Sequence, residues 1–428
     1  MPFATPPPTS LTPWQKLRSR KRFWLVVGWL GLVCITALFA SVLANDKPLK
    51  TTYRGTTYYP VLQPAQLDSF SSGNRLRWQR FDQVDWKSQE LEDATWPPIP
   101  FGTRLLSATK NLPPTSEGAL GRHWLGTTPN GIDLFASMIH GSRISLFVGL
   151  LAASIAILLG VLIGALAGYW GDDRLSLSKG GLIGLLVGLI PTIFYAWFRR
   201  SIQLELAAKE GLGSYLLQFV ASLLIGWGLL SLFFWLGKRL FLRLKWEKKW
   251  RFPLDTLLFR LSEWMSTLPR LLFVLSITAM FRQPSIWILM AIIGVVSWPG
   301  IAIQVRGQIL SIQQRSYIDA ARALGIPDKR IVWRHVLPNA LPPILIVFSS
   351  SIGGAIALES ALSFLGLAEA NLSWGSLLSM ARNHFDSWWL VLVPGGAIFL
   401  TVLSFHVLAE LIRDAWDPAM HASNRLSA

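Results

Sequence analysis

The residues of this chain that could do chemistry are ionisable groups placed inside long apolar runs. Glu359 lies late in the run PPILIVFSSSIGGAIALES, and Arg270 follows Pro269 well inside another run. A charged side chain in such a run is costly to bury, so it marks a solute pathway or pairs with a neighbouring helix. Both interpretations stay open: Arg270 and Glu359 either bracket a polar translocation pathway, or each forms a structural pair.

Known catalytic and metal-binding motifs are absent from the sequence. It has no GxxxxGK[ST] phosphate loop, no HExxH motif and no GxSxG nucleophile elbow, since GLGSY at 211–215 puts its serine off the pattern. The single cysteine, Cys34, excludes an intrachain disulfide, and no Cys/His cluster has zinc-site spacing. His406 and Glu410 stand one turn apart at the inner end of the last apolar run. They form either a proton relay or a hydrogen bond at the helix end. We expect no catalytic residue, metal or cofactor in this chain.

The composition indicates a polytopic membrane protein. Of 428 residues, 52% are hydrophobic and 15% are charged, and the mean hydropathy is +0.42. The net charge of +16 comes largely from clusters that flank apolar runs, as the positive-inside bias requires. No basic patch is interleaved with base-stacking aromatic residues, which argues against nucleic acid as a partner. The 21 tryptophans suit membrane interfaces and contact with lipid.

Apolar runs of membrane-spanning length predict an all-α polytopic fold of about eight transmembrane helices. The runs are 23–44, 144–167, 181–198, 215–236, 257–281, 286–305, 342–362 and 388–408. The basic clusters place both termini, 1–22 and 416–428, and the loop 306–340 in the cytoplasm. The polar region 45–140 is then an extracytoplasmic loop subdomain. Full spans are favoured for the pair within 172–252, with a re-entrant pair as the alternative.

The stretch YIDAARALGIPDKRIVWRHVLPNA, residues 317–340, interrupts this apolar pattern. Good helix formers run to Gly325, which easily takes a left-handed position at a helix end. Pro327 suits the start of a second helix, and Pro338 is expected to stop it. We predict two short helices outside the bilayer, with the methyl groups of Ala320 and Ala321 allowing another protein to approach closely. A solvated amphipathic connection is the alternative that the residues alone leave open.

The spacing of DAARALG and RHVLPNA resembles the cytoplasmic coupling loop of binding-protein-dependent ABC importer permeases, with Asp in place of Glu and His335 in place of Ile. HWLGTTPNGIDLFASMIHGSRISLFVG, DTLLFRLSEWMSTLPRLL, ALESALSFLGL, LSWGSLL and RDAWDP resemble the dipeptide and oligopeptide permease C subfamily. LANDKPL, YYPVL and PIPFG are most similar to its microcin C and peptide transporter branch. AELIRD, at 409–414, lacks the glycines that usually precede RD in the family.

The resemblance implies a core of about six helices, 141–171 with 253–415 and a first helix at 23–44, into which 172–252 inserts a hairpin. It implies ATPase coupling through the residues at the matching positions, which are Asp319, Ala320, Ala321, Gly325, Leu337 and Pro338. We predict that Tyr317, just before them, belongs to the same coupling set. The resemblance further implies a homologous second permease, two cytoplasmic ATPase subunits or domains that bind ATP and magnesium, and an extracytoplasmic solute-binding protein.

The function implied is the import of peptides or peptide-like solutes across the bacterial plasma membrane by alternating access. A permease for nickel or another small solute is the alternative within the same subfamily, because the sequence shows no decisive substrate pocket. A non-transport membrane scaffold is the alternative from another class, and it leaves the spacing of DAARALG and VLPNA unexplained. An intramembrane hydrolase would need a nucleophile and a base that the spans do not supply.

Overall fold

The computed structural model of this chain is dominated by α-helices. It describes residues 12–64, 67–72, 75–81, 84–87, 89, 91–103, 110–118, 121–172, 176–210, 212–243, 249–251, 253–281, 285–367, 372–384 and 386–416. Three parts of the chain that carried predictions lie outside these ranges: half of the predicted N-terminal tail (1–11), nearly all of the predicted C-terminal tail (417–428) and the loop at 282–284.

Fifteen α-helices and nine short strands occur within the described ranges. The helices are α1 (Pro13–Ser19), α2 (Lys21–Leu38), α3 (Ala40–Leu43), α4 (Leu134–Trp170), α5 (Lys179–Ile193), α6 (Ser201–Glu210), α7 (Leu212–Arg243), α8 (Leu254–Thr267), α9 (Arg270–Ala279), α10 (Ile286–Gln313), α11 (Ser316–Ala323), α12 (Asp328–Ile331), α13 (Leu337–Phe364), α14 (Trp374–Met380) and α15 (Trp389–Trp416). The strands are β1 (Lys50–Tyr53), β2 (Thr56–Tyr58), β3 (Leu67–Ser72), β4 (Arg75–Arg80), β5 (Asp93–Thr95), β6 (Ser116–Gly118), β7 (Gly121–His123), β8 (Ser176–Ser178) and β9 (Lys249–Arg251).

Seven helices in the described part of the chain are long and apolar enough to cross a membrane. They are Lys21–Leu38, Leu134–Trp170, Lys179–Ala207, Gly213–Arg243, Ile286–Gln313, Asp328–Phe364 and Trp389–Trp416. The predicted helical membrane fold is confirmed. The remaining predicted run, 257–281, does not form one membrane-length helix. It divides at Leu268 and Pro269 into α8 and the short apolar α9. Proline lacks the N–H that would continue the helix, so the break falls directly before Arg270.

Four helices form the apolar centre of the core. Val148 and Ala152 of α4, Val274 of α9, Ile293 of α10 and Ala355 of α13 belong to one buried cluster. A second cluster joins α2, α4, α14 and α15, with residues that include Val33, Leu134, Trp374 and Leu390. Small and branched residues at these contacts let the helix backbones approach closely, as helix packing in membranes requires.

The region between α3 and α4, predicted to be a polar loop subdomain without a spanning helix, is built mainly from β-strands and turns in its described residues. The β2–β1–β5 sheet and the β3–β4 and β6–β7 pairs are all antiparallel. Tyr53, Phe81, Val84 and Trp86 form its small buried cluster. The β-propensity of Thr, Tyr and Trp in this polar stretch explains the strands, because none of its segments is apolar enough to form a spanning helix.

The Lys87 ammonium lies 5.9 Å from the centre of the Trp96 ring, which packs against this cluster, and 4.6 Å from the centre of the Phe101 ring. Burial lowers the pKa of Lys87, while the carboxylates of Asp46, Asp85 and Asp133 oppose that shift. Asp133 stands at the end of this region, directly before α4. Its Oδ1 accepts from the Ala136 N–H at 2.7 Å, which caps the start of α4. The β-rich region is therefore fixed to α4 by a helix cap.

The short α1 packs on the end of α15. Leu17 is buried with Leu411 and Ala415. Arg20 donates to the Asp414 carboxylate at 2.6 Å. Thr12 and Gln15 form a capping box that starts α1, so the sequence itself defines this helix after the proline-rich beginning.

Residues Leu166–Arg260 form a compact unit of their own, and the predicted insertion 172–252 lies inside it. β8 pairs with β9, so Ser176 lies opposite Arg251 and the two ends of the insertion are adjacent. Arg200 in the turn before α6 donates to the Ser222 hydroxyl at 3.0 Å. An ionisable side chain at this end of the hairpin is thus satisfied by its own unit.

Glycines bring α5 and α7 together in this unit. A Cβ on Gly184 would collide with the carbonyl oxygen of Phe233, and one on Gly237 would collide with that of Gly180. Backbone-to-backbone contact of this kind gains dispersion energy that no larger residue permits. The two helices therefore form a hairpin whose packing depends on small residues.

We predict that Gly237→Val destabilises this hairpin by about 1–3 kcal/mol, because the branched side chain forces the two backbones apart. The matched control is Gly228→Val on the same helix, where no atom lies within 4 Å of an added Cβ. Thermal unfolding in detergent, followed by tryptophan fluorescence, measures the difference. Equal unfolding midpoints for the two variants would show that the glycine contacts contribute nothing.

Candidate functional site

The segment between α10 and α13, residues 314–336, here called the coupling segment, is the first candidate site. α11 spans Ser316–Ala323 and ends as the sequence predicts, with Gly325 at φ +74°. The N–H of Gly325 donates to Arg322 O at 2.9 Å, and the N–H of Ile326 donates to Ala321 O at 3.2 Å. This pair of bonds is a Schellman motif, which satisfies the last carbonyls of the helix. Gly325 therefore sets the direction in which the chain leaves α11.

One side of α11 faces the protein. Ile318 and Ala321 are buried, and Arg322 donates to the Gln313 side chain at 2.9 Å. Gln313 is the last residue of α10, so this bond ties α11 to the end of a membrane-length helix. The prediction that the Ala321 methyl faces a partner is wrong, because Ala321 lies 3 residues from Ile318 on the inward face of the helix.

The opposite side of α11 is open. Tyr317, Asp319 and Ala320 are exposed, and Leu324 at the helix end is 79% exposed. Asp319 is 3.5 Å from Arg322, a weak surface ion pair one turn away. Further along the segment, Trp333 is 70% exposed. Leu324 and Trp333 are not among the residues predicted from the sequence, although large apolar residues beside Arg and Lys in a connection between two apolar runs are a usable signal of a contact surface.

The expectation that Pro338 stops a second short helix is wrong. One continuous helix passes through Pro338. It consists of α12, a π-helical turn over Val332–Val336, and α13. The wider π turn accommodates the proline, which has no N–H to donate, at the first or second position of α13. The Asn339 side chain donates to His335 O at 2.6 Å, which satisfies a carbonyl beside the proline. Leu337 and Pro338 thus lie at the base of a membrane-length helix.

The second candidate pair, Arg270 and Glu359, is not brought together. Arg270 donates to the Ser297 hydroxyl of α10 and lines a cavity. Glu359 is 1% exposed and accepts from the Ser363 hydroxyl at 2.7 Å. Glu359 is absent from the residues that line that cavity.

Glu359 occupies a buried cluster of serines between α13, α14 and α4. Ser363 is 3.4 Å from Ser373, whose hydroxyl in turn accepts from the Ser376 N–H at the start of α14. Ser145 of α4 accepts from the Trp374 N–H at 3.1 Å. Within this cluster the hydroxyls of Ser363 and Ser360 donate to the Glu359 carboxyl group, which would otherwise be costly to bury. These bonds favour the structural interpretation of Glu359, which holds the end of α13 to the start of α14.

The cavity beside Arg270 has a volume of about 450 Å³. Its walls come from α4, α9, α10, α13 and α15, and its polar lining is Arg270, Ser297, Gln304, Ser350, Ser351, His406 and Arg413. Nδ1 of His406 lies 3.2 Å from the Ser350 hydroxyl. His406 therefore contacts the neighbouring α13, and its bond crosses between helices.

Comparison with known proteins finds one family match in the C-terminal part of the chain and relatives that align with most of its length. Residues 244–421 match the family described as binding-protein-dependent transport system inner membrane component. The inner membrane ABC transporter permease protein YejE of Escherichia coli (strain K12) is 29% identical over 420 residues, which is 96% of this chain and 97% of the relative.

Two further relatives differ in coverage. The peptidoglycan transport system permease protein YejE of Agrobacterium fabrum is 26% identical over 96% of this chain and 93% of the relative. The oligopeptide transport system permease protein OppC of Salmonella typhimurium is 39% identical over 39% of this chain and 55% of the relative. The predicted resemblance to permease subunits of binding-protein-dependent ABC importers is confirmed, and the chain is a multi-pass membrane protein.

Two glycines near the coupling segment allow a matched test of its geometry. An added Cβ meets nothing within 4 Å at Gly325 or at Gly307, yet only Gly325 has a positive φ. We predict that Gly325→Ala weakens the Schellman motif by about 1–2 kcal/mol through strain in the left-handed region. Gly307→Ala, in the interior of α10, is expected to be neutral or to stabilise by up to about 1 kcal/mol.

Hydrogen exchange of the Ile326 amide measures this difference, because that N–H donates to Ala321 only while the motif is formed. Faster exchange in Gly325→Ala than in Gly307→Ala is the expected outcome. Unchanged protection in both variants would mean that the backbone at Gly325 is not strained by a side chain.

Proposed function

We propose that this chain is a membrane permease subunit of an ATP-driven importer that moves peptides or peptide-like solutes across the bacterial inner membrane. The observation that carries the proposal is the coupling segment, which presents exposed apolar residues on one side and is tied to the core on the other. The names of its relatives supply the solute class, because they include oligopeptide and peptidoglycan transport permeases.

The exposed side of the coupling segment has the properties of a docking surface. Tyr317, Leu324 and Trp333 are large and exposed, and Ala320 between them adds little bulk. Aromatic and aliphatic anchors of this kind contribute most of the affinity at protein interfaces. We assign the partner as a cytoplasmic ATPase, because the full sequence has no phosphate loop of its own. ATP and magnesium are then bound by that partner.

The helices that meet the coupling segment provide the path of transmission. α10 ends at Gln313, which holds Arg322, and α13 starts directly after Val336. Both helices also line the cavity that contains Arg270. Movement of the coupling segment by the ATPase would therefore shift two walls of that cavity, which is the mechanical requirement for alternating access.

The remaining parts of the importer follow from this assignment. A homologous second permease completes the pathway, an extracytoplasmic binding protein delivers the solute, and both termini of this chain lie in the cytoplasm together with the coupling segment. The basic residues around α1 and along the coupling segment agree with that orientation.

We predict that Trp333→Asp removes the ATPase from the complex, because a charge replaces a large apolar anchor on the docking surface. The native chain, tagged and purified in mild detergent, is expected to bring down an ATPase and a second permease. Trp333→Asp should retain the second permease and lose the ATPase at least about tenfold.

The control for this experiment is Trp124→Asp, which alters a tryptophan that is 56% exposed in the β-rich region. It should leave the recovered ATPase unchanged. Equal recovery of the ATPase with Trp333→Asp and the native chain would remove the coupling segment as the docking surface. No ATPase with the native chain, in a detergent that preserves the second permease, would favour the membrane scaffold.

We also predict that excision of residues 177–250 leaves solute uptake, because the antiparallel register of β8 and β9 places the cut ends side by side. A Gly-Ser-Gly linker spans the roughly 5 Å between paired residues.

Uptake of the labelled tripeptide Ala-Ala-Ala, in cells that lack the native chain, measures the result, with Ni²⁺ uptake recorded in parallel. Complete loss of uptake in a stably inserted deletion variant would give the insertion an essential role, and restoration of Ni²⁺ uptake alone would favour the small-solute permease.

A further inference from the structure

The cavity beside Arg270 is lined by cations and neutral polar groups. Arg270, His406 and Arg413 are its ionisable residues, and Gln304, Ser350 and Ser351 add uncharged hydrogen-bonding groups. No Asp or Glu side chain is among the described residues that line it. Its volume of about 450 Å³ lies in the range of small-ligand sites.

The partners of the two arginines leave their charge uncompensated. Arg270 donates to the Ser297 hydroxyl, which itself donates to the carbonyl oxygen of Ile293, so both partners are neutral. Arg413 forms no ion pair among the described residues. Its neighbour Asp414 is directed away, to Arg20 at 2.6 Å. Two guanidinium groups are therefore available at one cavity.

Both arginine side chains are exposed at this cavity, so their guanidinium groups can reach a solute, and no carboxylate of the described lining competes for them. Guanidinium groups bind carboxylates through paired, charge-assisted hydrogen bonds. The amide of Gln304 and the hydroxyls of Ser350 and Ser351 can bond to the peptide groups of a solute whose carboxylate the arginines hold.

We propose that this cavity is a carboxylate-binding site of the translocation pathway and that it favours anionic peptides over cationic ones. The proposal rests on the proposed function for the identity of the solute, and it adds Arg413 and His406 to the predicted pathway residue Arg270. Glu359 has no part in it, because its carboxylate is held in the serine cluster. A lysine-containing peptide would meet like charges and no counter-ion.

The test is equilibrium binding of three tripeptides to the purified membrane complex without its binding protein. Ala-Glu-Ala, Ala-Gln-Ala and Ala-Lys-Ala differ only in the charge of the central side chain. The native complex should bind them in that order of decreasing affinity. Arg270→Gln and Arg413→Gln should each weaken Ala-Glu-Ala by about tenfold, the size of one lost charge-assisted bond, and weaken Ala-Lys-Ala by less.

Two further variants separate charge from folding. Arg413→Lys should keep the order of the three peptides, because the positive charge remains. Lys179→Gln removes an exposed cation at the start of α5 and should change nothing. An equal loss for all three peptides in the two glutamine variants, or no preference among the peptides in the native complex, would show that the arginines do not recognise the charge of the side chain and would overturn the preference for anionic peptides.

Uptake of the same peptides by cells distinguishes this inference from the proposed function. If cells take up the peptides but the purified complex binds all three equally, the anion site is contradicted and the proposed importer function is not. A charge order in binding without uptake of any tripeptide would support the anion site and remove peptide import.

Discussion

The structure depends on the requirement that every backbone N–H and C=O in an apolar environment be hydrogen-bonded within the protein. Long continuous helices meet that requirement, and they make up most of the described chain. The exceptions are then informative. The helix break at Pro269 precedes Arg270, the π turn over 332–336 precedes α13, and the left-handed Gly325 ends α11. Each of these three departures lies in the coupling segment or beside the cavity.

These departures show how far the sequence alone could lead. Apolar runs were sufficient for seven of the eight predicted membrane helices, and the position of Gly325 was sufficient for the end of α11. The outcome at Pro338 was not predictable from local rules, because a proline in the first turn of a helix resembles a proline that ends one. Only the π turn and the bond from Asn339 to His335 O decide between them.

The ionisable residues of the spans illustrate a second limit of sequence reasoning. Arg270 and Glu359 looked equivalent as charges in apolar runs, yet one lines a cavity and the other is enclosed by serines. The difference comes from residues distant in the chain, such as Ser145, Ser373 and Arg413. Periodicity places a residue on a face of its own helix, but it contains no information about which helix covers that face.

The coupling segment and the cavity are connected through two helices, α10 and α13. Gln304 on the cavity wall is separated from Gln313 at the coupling segment by nine residues of α10, a distance of about 14 Å along the helix. An α-helix of that length does not compress, so displacement of its end moves the cavity wall with it. The Arg322–Gln313 bond and the continuity of α12 with α13 fix the segment to both helices. Under the proposed function, a partner bound to the coupling segment would act on the cavity without any change in the fold of the helices between them.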